Sequence, residues 1–182
     1  MKKFRLLLLA LLVMVSGMIV KAQEEMSQEE MIAVRVIMPI NKDVKGDALT
    51  VLNNHVNQAV TLNGLGSSSN ESRFLIVTSV TILSKSATAS IPPQFMAEVE
   101  ASFYFVDNIK KVILAQEIIT KKAMDVNDDK AVAKAIKSIQ ARDPKLKKLI
   151  TIGKQRAIEY YKAAEKNDSE KATDPDVSWV LE

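Results

Sequence analysis

The sequence contains no cysteine and a single histidine. Without cysteine the chain can form no disulfide, no thiolate metal site and no cysteine nucleophile. It also lacks the residue that carries the acyl chains of bacterial lipoproteins, so we predict that the protein is not a lipoprotein. Zinc and copper sites gather several histidine and cysteine ligands. Because His55 has no second histidine or cysteine to join it, we predict a structural role for it and no metal site.

Recognisable catalytic motifs are also missing. The sequence has no phosphate-binding glycine loop and no serine nucleophile framed by glycines. The stretch Asp125–Asp129 begins like a calcium loop, but Lys130 and Ile136 stand where that loop requires glycine and glutamate. Acidic residues at the first turn of a helix explain the stretch better. We therefore predict no catalytic residue and no cofactor, although missing motifs alone do not exclude an enzyme.

The amino terminus has the pattern of a secretory signal peptide. Three basic residues precede Leu6–Val20, a largely apolar run of fifteen residues, and Val20, Lys21 and Ala22 then suit a cleavage site. The run is shorter than the roughly 20 residues that span a bilayer. We predict that residues 1–22 are removed by cleavage between Ala22 and Gln23. The exported chain should then have no membrane span.

Removal of the signal peptide changes the charge of the protein. Residues 1–22 hold four basic and no acidic residues, which leaves 21 basic and 22 acidic residues and a net charge of −1. This balance gives no basic footprint for nucleic acid, and we predict no nucleic-acid partner. The remaining 160 residues suit one domain. We place it at residues 31–166, after a flexible lead-in at 23–30 and before a mobile tail at 167–182, in which Trp179 and Val180 either dock on the domain or stay free.

The stretch Arg73–Thr120 predicts three consecutive strands. Apolar and polar residues alternate in Phe74–Ser84, in Ala97–Phe105 and in Lys111–Lys122, which is the two-residue period of a half-buried strand. Asp107 and Asn108 tolerate a positive φ and suit a tight turn between the last two strands. We predict an antiparallel meander whose second connection is the tighter one.

The rest of the chain supplies one more strand and three helices. We expect a strand at Met31–Met38 beside the meander, and a helix capped by Asp47 that ends before Gly64. A second helix should open at Asn127–Asp129. A third should start at Asp143–Pro144, an N-cap followed by proline in the first turn, and run to about residue 166. The order β-α-β-β-β-α-α predicts an α+β fold, a mostly antiparallel four-stranded sheet with helices on one face.

The sheet face away from the helices is the predicted interaction surface. Alternation in the second meander strand places Glu98, Glu100 and Tyr104 together on that face. Its partner would be another envelope protein; the oligomeric state is left open. One alternative is a small-molecule or glycan site that uses this face and the loop Ser84–Gln94. A less favoured alternative is a hydrolase, with Glu98 or Glu100 as the acid or base.

The sequence resembles a family of small exported envelope proteins of Bacteroidetes-type bacteria. The similar stretches are Leu52–Gly66, Arg73–Pro93, Ala133–Ile139 and Ile158–Tyr161. More distantly, the chain is similar to the amino-terminal domain of FlgT and to the TolB amino-terminal and CsgG-like domains. The signal peptide, the single domain and the lack of a recognisable site together predict a non-catalytic protein of the periplasm or the outer membrane, with a role in protein interaction or assembly. The resemblance brings no catalytic residues.

Overall fold

A computed structural model describes residues 32–66 and 72–164, with side chains as far as Tyr160. The elements in chain order are β1 (Val34–Val36), α1 (Ala48–Leu62), β2 (Phe74–Ala87), β3 (Phe95–Asp107), β4 (Val112–Asp125), α2 (Asp128–Lys137) and α3 (Pro144–Ala164). All of them belong to the compact unit Ala33–Glu182. The predicted α+β class and element order are confirmed. The predicted signal peptide with its cleavage site, the lead-in at 23–30 and the tail at 167–182 lie outside the described residues.

The four strands form one sheet in the order β1-β2-β3-β4. The predicted meander is confirmed, since β2 pairs antiparallel with β3 and β3 with β4, while β1 pairs parallel with β2. The connection at 108–111 is shorter than the one at 88–94, as predicted. Strand β2 continues to Ala87, beyond the predicted end at Ser84, because its pairing with β3 continues to Phe95. Strand β2 therefore extends beyond its apolar residues because its backbone remains hydrogen-bonded to β3.

The helices lie on one face of the sheet. Alternate residues of β3 on that face are fully buried: Ala97, Val99, Ala101, Phe103 and Phe105. Helix α2 packs mainly on β3 and β4, and α3 packs on β4 and β3. Their apolar stripes, which include Ile136 and Leu149, are buried as well. Apolar area removed from water contributes roughly 25 cal/mol per Å², so this layer is the core. No helix within residues 32–66 and 72–164 is long and apolar enough to cross a membrane.

Of the two predicted N-caps, Asp143 is confirmed and Asp47 is not, and Asn127 caps the helix that was predicted to open at Asn127–Asp129. The Asn127 side chain accepts a hydrogen bond from the Lys130 N–H at 2.8 Å, and Asp143 accepts one from the Lys145 N–H at 3.0 Å. Asp47 precedes α1 as predicted, but its side chain makes no cap hydrogen bond. It lies instead 2.6 Å from Lys137 Nζ at the end of α2. The Asp47 carboxylate, which the local sequence pattern predicts to cap α1, therefore forms an ion pair with Lys137, a residue distant in sequence.

The β3–β4 turn is organised by a buried carboxylate. Asp107 is fully buried and accepts hydrogen bonds from Arg73 Nε and Nη2 at 2.9 and 2.6 Å. Its other oxygen accepts from the N–H groups of Ile109 and Lys110, both at 3.0 Å. The positive φ of the turn falls on Lys111, at 54°, and not on the predicted pair Asp107–Asn108. The ion pair to Arg73 could not be foreseen because the two residues are 34 positions apart.

A β-bulge alters the alternation of β4. The register shifts between Phe105 and Val106 of β3, so β4 has one extra residue there. Leu114 is 1% exposed, whereas Val112 and Ile118 are 36% and 37% exposed. Two-residue alternation along Lys111–Lys122 would put these three residues on one face, but with the bulge Val112 pairs with Asp107 and Ile118 pairs with Ser102, on opposite faces of the sheet.

Candidate functional site

The open face of the sheet is the face away from the helices. Strand register places on it Tyr104, Glu100 and Glu98 of β3, opposite Gln116, Thr120 and Lys122 of β4. The structure therefore brings the three residues of the predicted interaction surface onto one face. They lie two and four positions apart along one strand, so each has a different set of neighbours.

The two glutamates of the open face differ in their ion pairing. Glu98 Oε2 lies 3.2 Å from Lys122 Nζ, and this ion pair is directly cross-strand. Glu100 is half-buried between the register partners Thr81 and Thr120 and forms no ion pair with another described residue. Because Glu100 has no ion-pair partner among the described residues, it suits a basic group supplied from outside. The arrangement fits charge pairing better than acid–base catalysis by both glutamates.

Tyr104 lies beside an apolar group that we call the covered patch: Leu75, Val77 and Val106. These residues are 0%, 2% and 0% exposed, and the half-buried Ile37 and Tyr104 pack against them. The sequence predicted a wet environment for Tyr104, since its neighbours in β3 are polar. Val106 of β3 lies on the same face two residues away, but Leu75 and Val77 come from β2 and Ile37 follows β1, so the alternation of β3 alone could not reveal the whole group.

A second apolar group on the open face is exposed. We call it the β4 row: Ile113, Ile118 and Met124, which are 39%, 37% and 43% exposed. Their register partners Val106, Ser102 and Met96 place all three on the open face. Sequence reasoning missed this row, because the bulge at Leu114 sets which β4 residues face outward.

The edge of β4 is occupied by basic side chains of the helices. Lys145 Nζ donates to the Ile118 carbonyl at 2.6 Å, and Lys134 Nζ donates to the Met124 carbonyl at 3.1 Å. Arg156 Nη1 donates to the Leu114 carbonyl in the same way. Unpaired carbonyls on an edge strand invite a further strand, and charged side chains there oppose it. Binding at β4 would therefore use the side chains of the open face and not added strand pairing.

His55 has a structural position, in agreement with its predicted role. Its Nδ1–H donates to the Ile139 carbonyl at 2.6 Å and so joins α1 to the chain after α2. No group of three or more potential metal ligands occurs among residues 32–66 and 72–164.

The acidic stretch before α2 is used in ion pairs. Asp129 Oδ2 lies 2.7 Å from Lys45 Nζ, and Asp125 Oδ2 lies 3.7 Å from Lys134 Nζ. The hydrogen bond from Lys45 lowers the pKa of Asp129 and raises the pKa of Lys45. These carboxylates therefore fix the start of α2 against the loop before α1.

The loop of the alternative binding site presents its side chains to solvent. Strand β2 takes its first residues, and the connection that remains is 88–94. Ile91 is 100% exposed, and only Thr88 is half-buried. Thr88 accepts from the Gln94 N–H at 3.0 Å and lies 2.6 Å from the Ser90 hydroxyl. These hydrogen bonds close the loop on itself.

The chain is similar to several solved bacterial structures at low sequence identity. No protein-family model and no curated protein matches it. Among solved structures it is similar to the minor lipoprotein of Acinetobacter baumannii, with 11% identity and a TM-score of 0.39 over 78% of this chain and 98% of that one. It is also similar to a lipoprotein of Neisseria meningitidis, with 10% identity and a TM-score of 0.33 over 73% of this chain and 98% of that one. A third similar structure is the PelC dodecamer of Paraburkholderia phytofirmans, with 14% identity and a TM-score of 0.36 over 62% of this chain and 91% of that one. Likeness at this level concerns chain topology and does not extend to ligands or partners.

These matches correct one prediction. Because the sequence has no cysteine, we predicted that the protein is not a lipoprotein, yet two of the three structures above are lipoproteins. The prediction rested on a single residue type, which determines one covalent modification and not the class of fold. The coarser prediction of an envelope-type protein agrees with the matches. None of them tests the resemblance to Bacteroidetes-type exported proteins or to the FlgT, TolB and CsgG-like domains.

Proposed function

We propose that the protein is an exported, non-catalytic envelope protein that binds another envelope protein through the open face of its sheet. The observation that carries the proposal is the β4 row beside Glu100, on a face where the described helices do not pack. Three exposed apolar side chains lie along one strand of this face, with Gln116, Thr120 and Lys122 between them, and exposed apolar side chains with polar neighbours are typical of interaction surfaces. The half-buried carboxylate of Glu100 beside the β4 row adds a charge requirement.

The chemistry of the β4 row defines its partner. Fully burying an apolar side chain contributes about 1.5–3 kcal/mol, and the members of the β4 row are already more than half covered, so each would add less. The partner should therefore present an apolar surface that covers the row together with a lysine or arginine that reaches Glu100. A half-buried charge pair of this kind favours the correct partner over others. The basic side chains along the edge of β4 direct the contact to the face.

Site-specific photocrosslinking in intact cells tests the proposal. A photoreactive residue replaces Ile118 in one variant and Lys147, an exposed residue of α3 on the other side of the domain, in a control. We expect a defined crosslinked product with one envelope protein, identified by mass spectrometry, from position 118 and not from position 147. Equal products from both positions, or none from position 118, would contradict the proposal.

A charge reversal tests the role of Glu100 in the same assay. Glu100→Lys should strongly reduce the crosslink from position 118, since it places a cation against the cation of the partner. The matched control is Glu159→Lys, a reversal at an exposed position of α3. If both reversals have the same effect, net charge and not Glu100 controls binding.

A further inference from the structure

The covered patch needs more cover than the described apolar neighbours provide. Leu75 and Val106 are fully buried and Val77 is 2% exposed, although the described helices pack on the opposite face. The two apolar side chains that pack against the patch, Ile37 and Tyr104, are themselves only half-buried. Arg35, the register partner of Leu75, adds only the stem of its half-buried side chain, so complete burial on this face points to a further apolar segment over the patch.

Helix α3 runs toward the end of the sheet where the patch lies. Early in the helix, Lys145 reaches the Ile118 carbonyl; later, Gly153 lies against the Phe105 ring and Arg156 reaches the Leu114 carbonyl. In the sheet, Phe105 is adjacent to Val106 and pairs with Ile76, next to Leu75. The chain that follows Ala164 therefore starts from the patch end of the sheet.

The composition of residues 165–182 suits a tether with an apolar anchor. Residues 165–176 are polar except for one alanine and one proline, and Val177, Trp179, Val180 and Leu181 follow near the end. The fourteen residues between Ala164 and Trp179 can span roughly 46–50 Å when extended. A helix layer and a sheet are each about 10 Å thick. The anchor can thus pass from the helix side of the sheet to the open face.

We propose that the segment Trp179–Leu181 docks on the covered patch. A tryptophan buries roughly 150–250 Å², enough to complete the cover over three small and medium apolar side chains. Residues 165–182 hold six acidic and two basic residues, and the turn at the patch end carries Lys110 and Lys111. The charges of tether and turn are therefore complementary. The open face is then divided into an end held by the chain's own carboxyl terminus and an end, the β4 row, that stays accessible.

Intrinsic fluorescence tests this docking directly, because Trp179 is the only tryptophan in the chain. In the full chain from Gln23, Trp179 should emit at shorter wavelength than in the denaturant-unfolded protein and resist quenching by acrylamide. Val77→Asp should move the emission to that of the unfolded chain while far-UV circular dichroism is retained. The control Thr81→Asp, on the open face outside the patch, should leave the emission unchanged.

A second measurement covers the case in which Val77→Asp unfolds the protein. A single cysteine in place of Val77 should react slowly with a maleimide in the folded full chain, and the added substitution Trp179→Ala should accelerate the reaction at least tenfold. Emission of the unfolded type in a folded parent overturns the proposal. So does a short-wavelength emission that disappears on dilution, which would identify a second copy as the cover. Equal labelling with and without Trp179 overturns it as well.

Discussion

Gly153 marks the closest approach of α3 to the sheet, and its substitution tests that packing. A Cβ atom at this position would lie 2.4 Å from both Cδ2 and Cγ of Phe105 and 2.9 Å from Cδ1. The ring is fully buried, so it has little room to move. Overpacking of a core costs about 1–3 kcal/mol, and alanine recovers about 1 kcal/mol of helix propensity. Because three ring atoms are involved, we expect Gly153→Ala to lower the free energy of unfolding by about 2 kcal/mol net.

Chemical denaturation followed by far-UV circular dichroism measures this effect. The matched control is Gly66→Ala, where an added Cβ atom meets nothing within 4 Å, and we expect it to be neutral or to stabilise by up to about 1 kcal/mol. Phe105→Leu in the Gly153→Ala background should recover part of the loss, since contacting residues couple. If Gly153→Ala is as stable as the parent protein, α3 does not pack against Phe105 and the proposed layer is wrong.

Four further substitutions test other parts of the structure. The hydroxyl of Thr78 is buried without a hydrogen-bond partner among the described residues, so Thr78→Val should stabilise the protein by about 1–3 kcal/mol in the same denaturation assay. Leu149→Ala should lower the free energy of unfolding by about 2–5 kcal/mol, and Asp143→Ala should lower it by about 0.5–2 kcal/mol. The reverse ranking would mean that the N-cap of α3 stabilises the fold more than its buried apolar side chains do. The hydrogen bond from Lys137 lowers the pKa of Asp47 in the folded protein. The pair therefore stabilises the fold fully at pH values above the pKa of an unfolded aspartate, about 4. This stabilisation is lost as the pH falls through the lower pKa of the folded state. Thermal melts between pH 2 and 6 should show that Lys137→Ala reduces this dependence.

Local sequence pattern was sufficient to predict the framework of the fold. The alternation in β3 identified its buried face, and Asn127 and Asp143 identified two helix starts, because each signal is contained within a few consecutive residues. Asp47 shows the limit of this reasoning. Its position before α1 was predicted, but its partner Lys137 lies 90 residues away in sequence, so the ion pair could not be read from local pattern.

The candidate site was predicted only in part for the same reason. Strand alternation correctly placed Glu98 and Glu100 on one face. It missed most of the apolar surroundings of Tyr104, because Leu75 and Val77 are supplied by β2, and it missed the β4 row, whose orientation depends on the bulge at Leu114. A bulge is a property of strand pairing and leaves no distinct signal in a single strand's sequence.

Labelling of single cysteines tests most directly the claim that part of the open face is free to bind. The chain has no cysteine of its own, so each introduced thiol reports one position. In the purified full chain, a maleimide should react rapidly with Ile118→Cys, as with the exposed control Lys147→Cys, and slowly with the buried control Val99→Cys. If the thiol at position 118 is instead protected as strongly as the one at position 99, the β4 row is covered in the isolated protein, and it is not the docking surface.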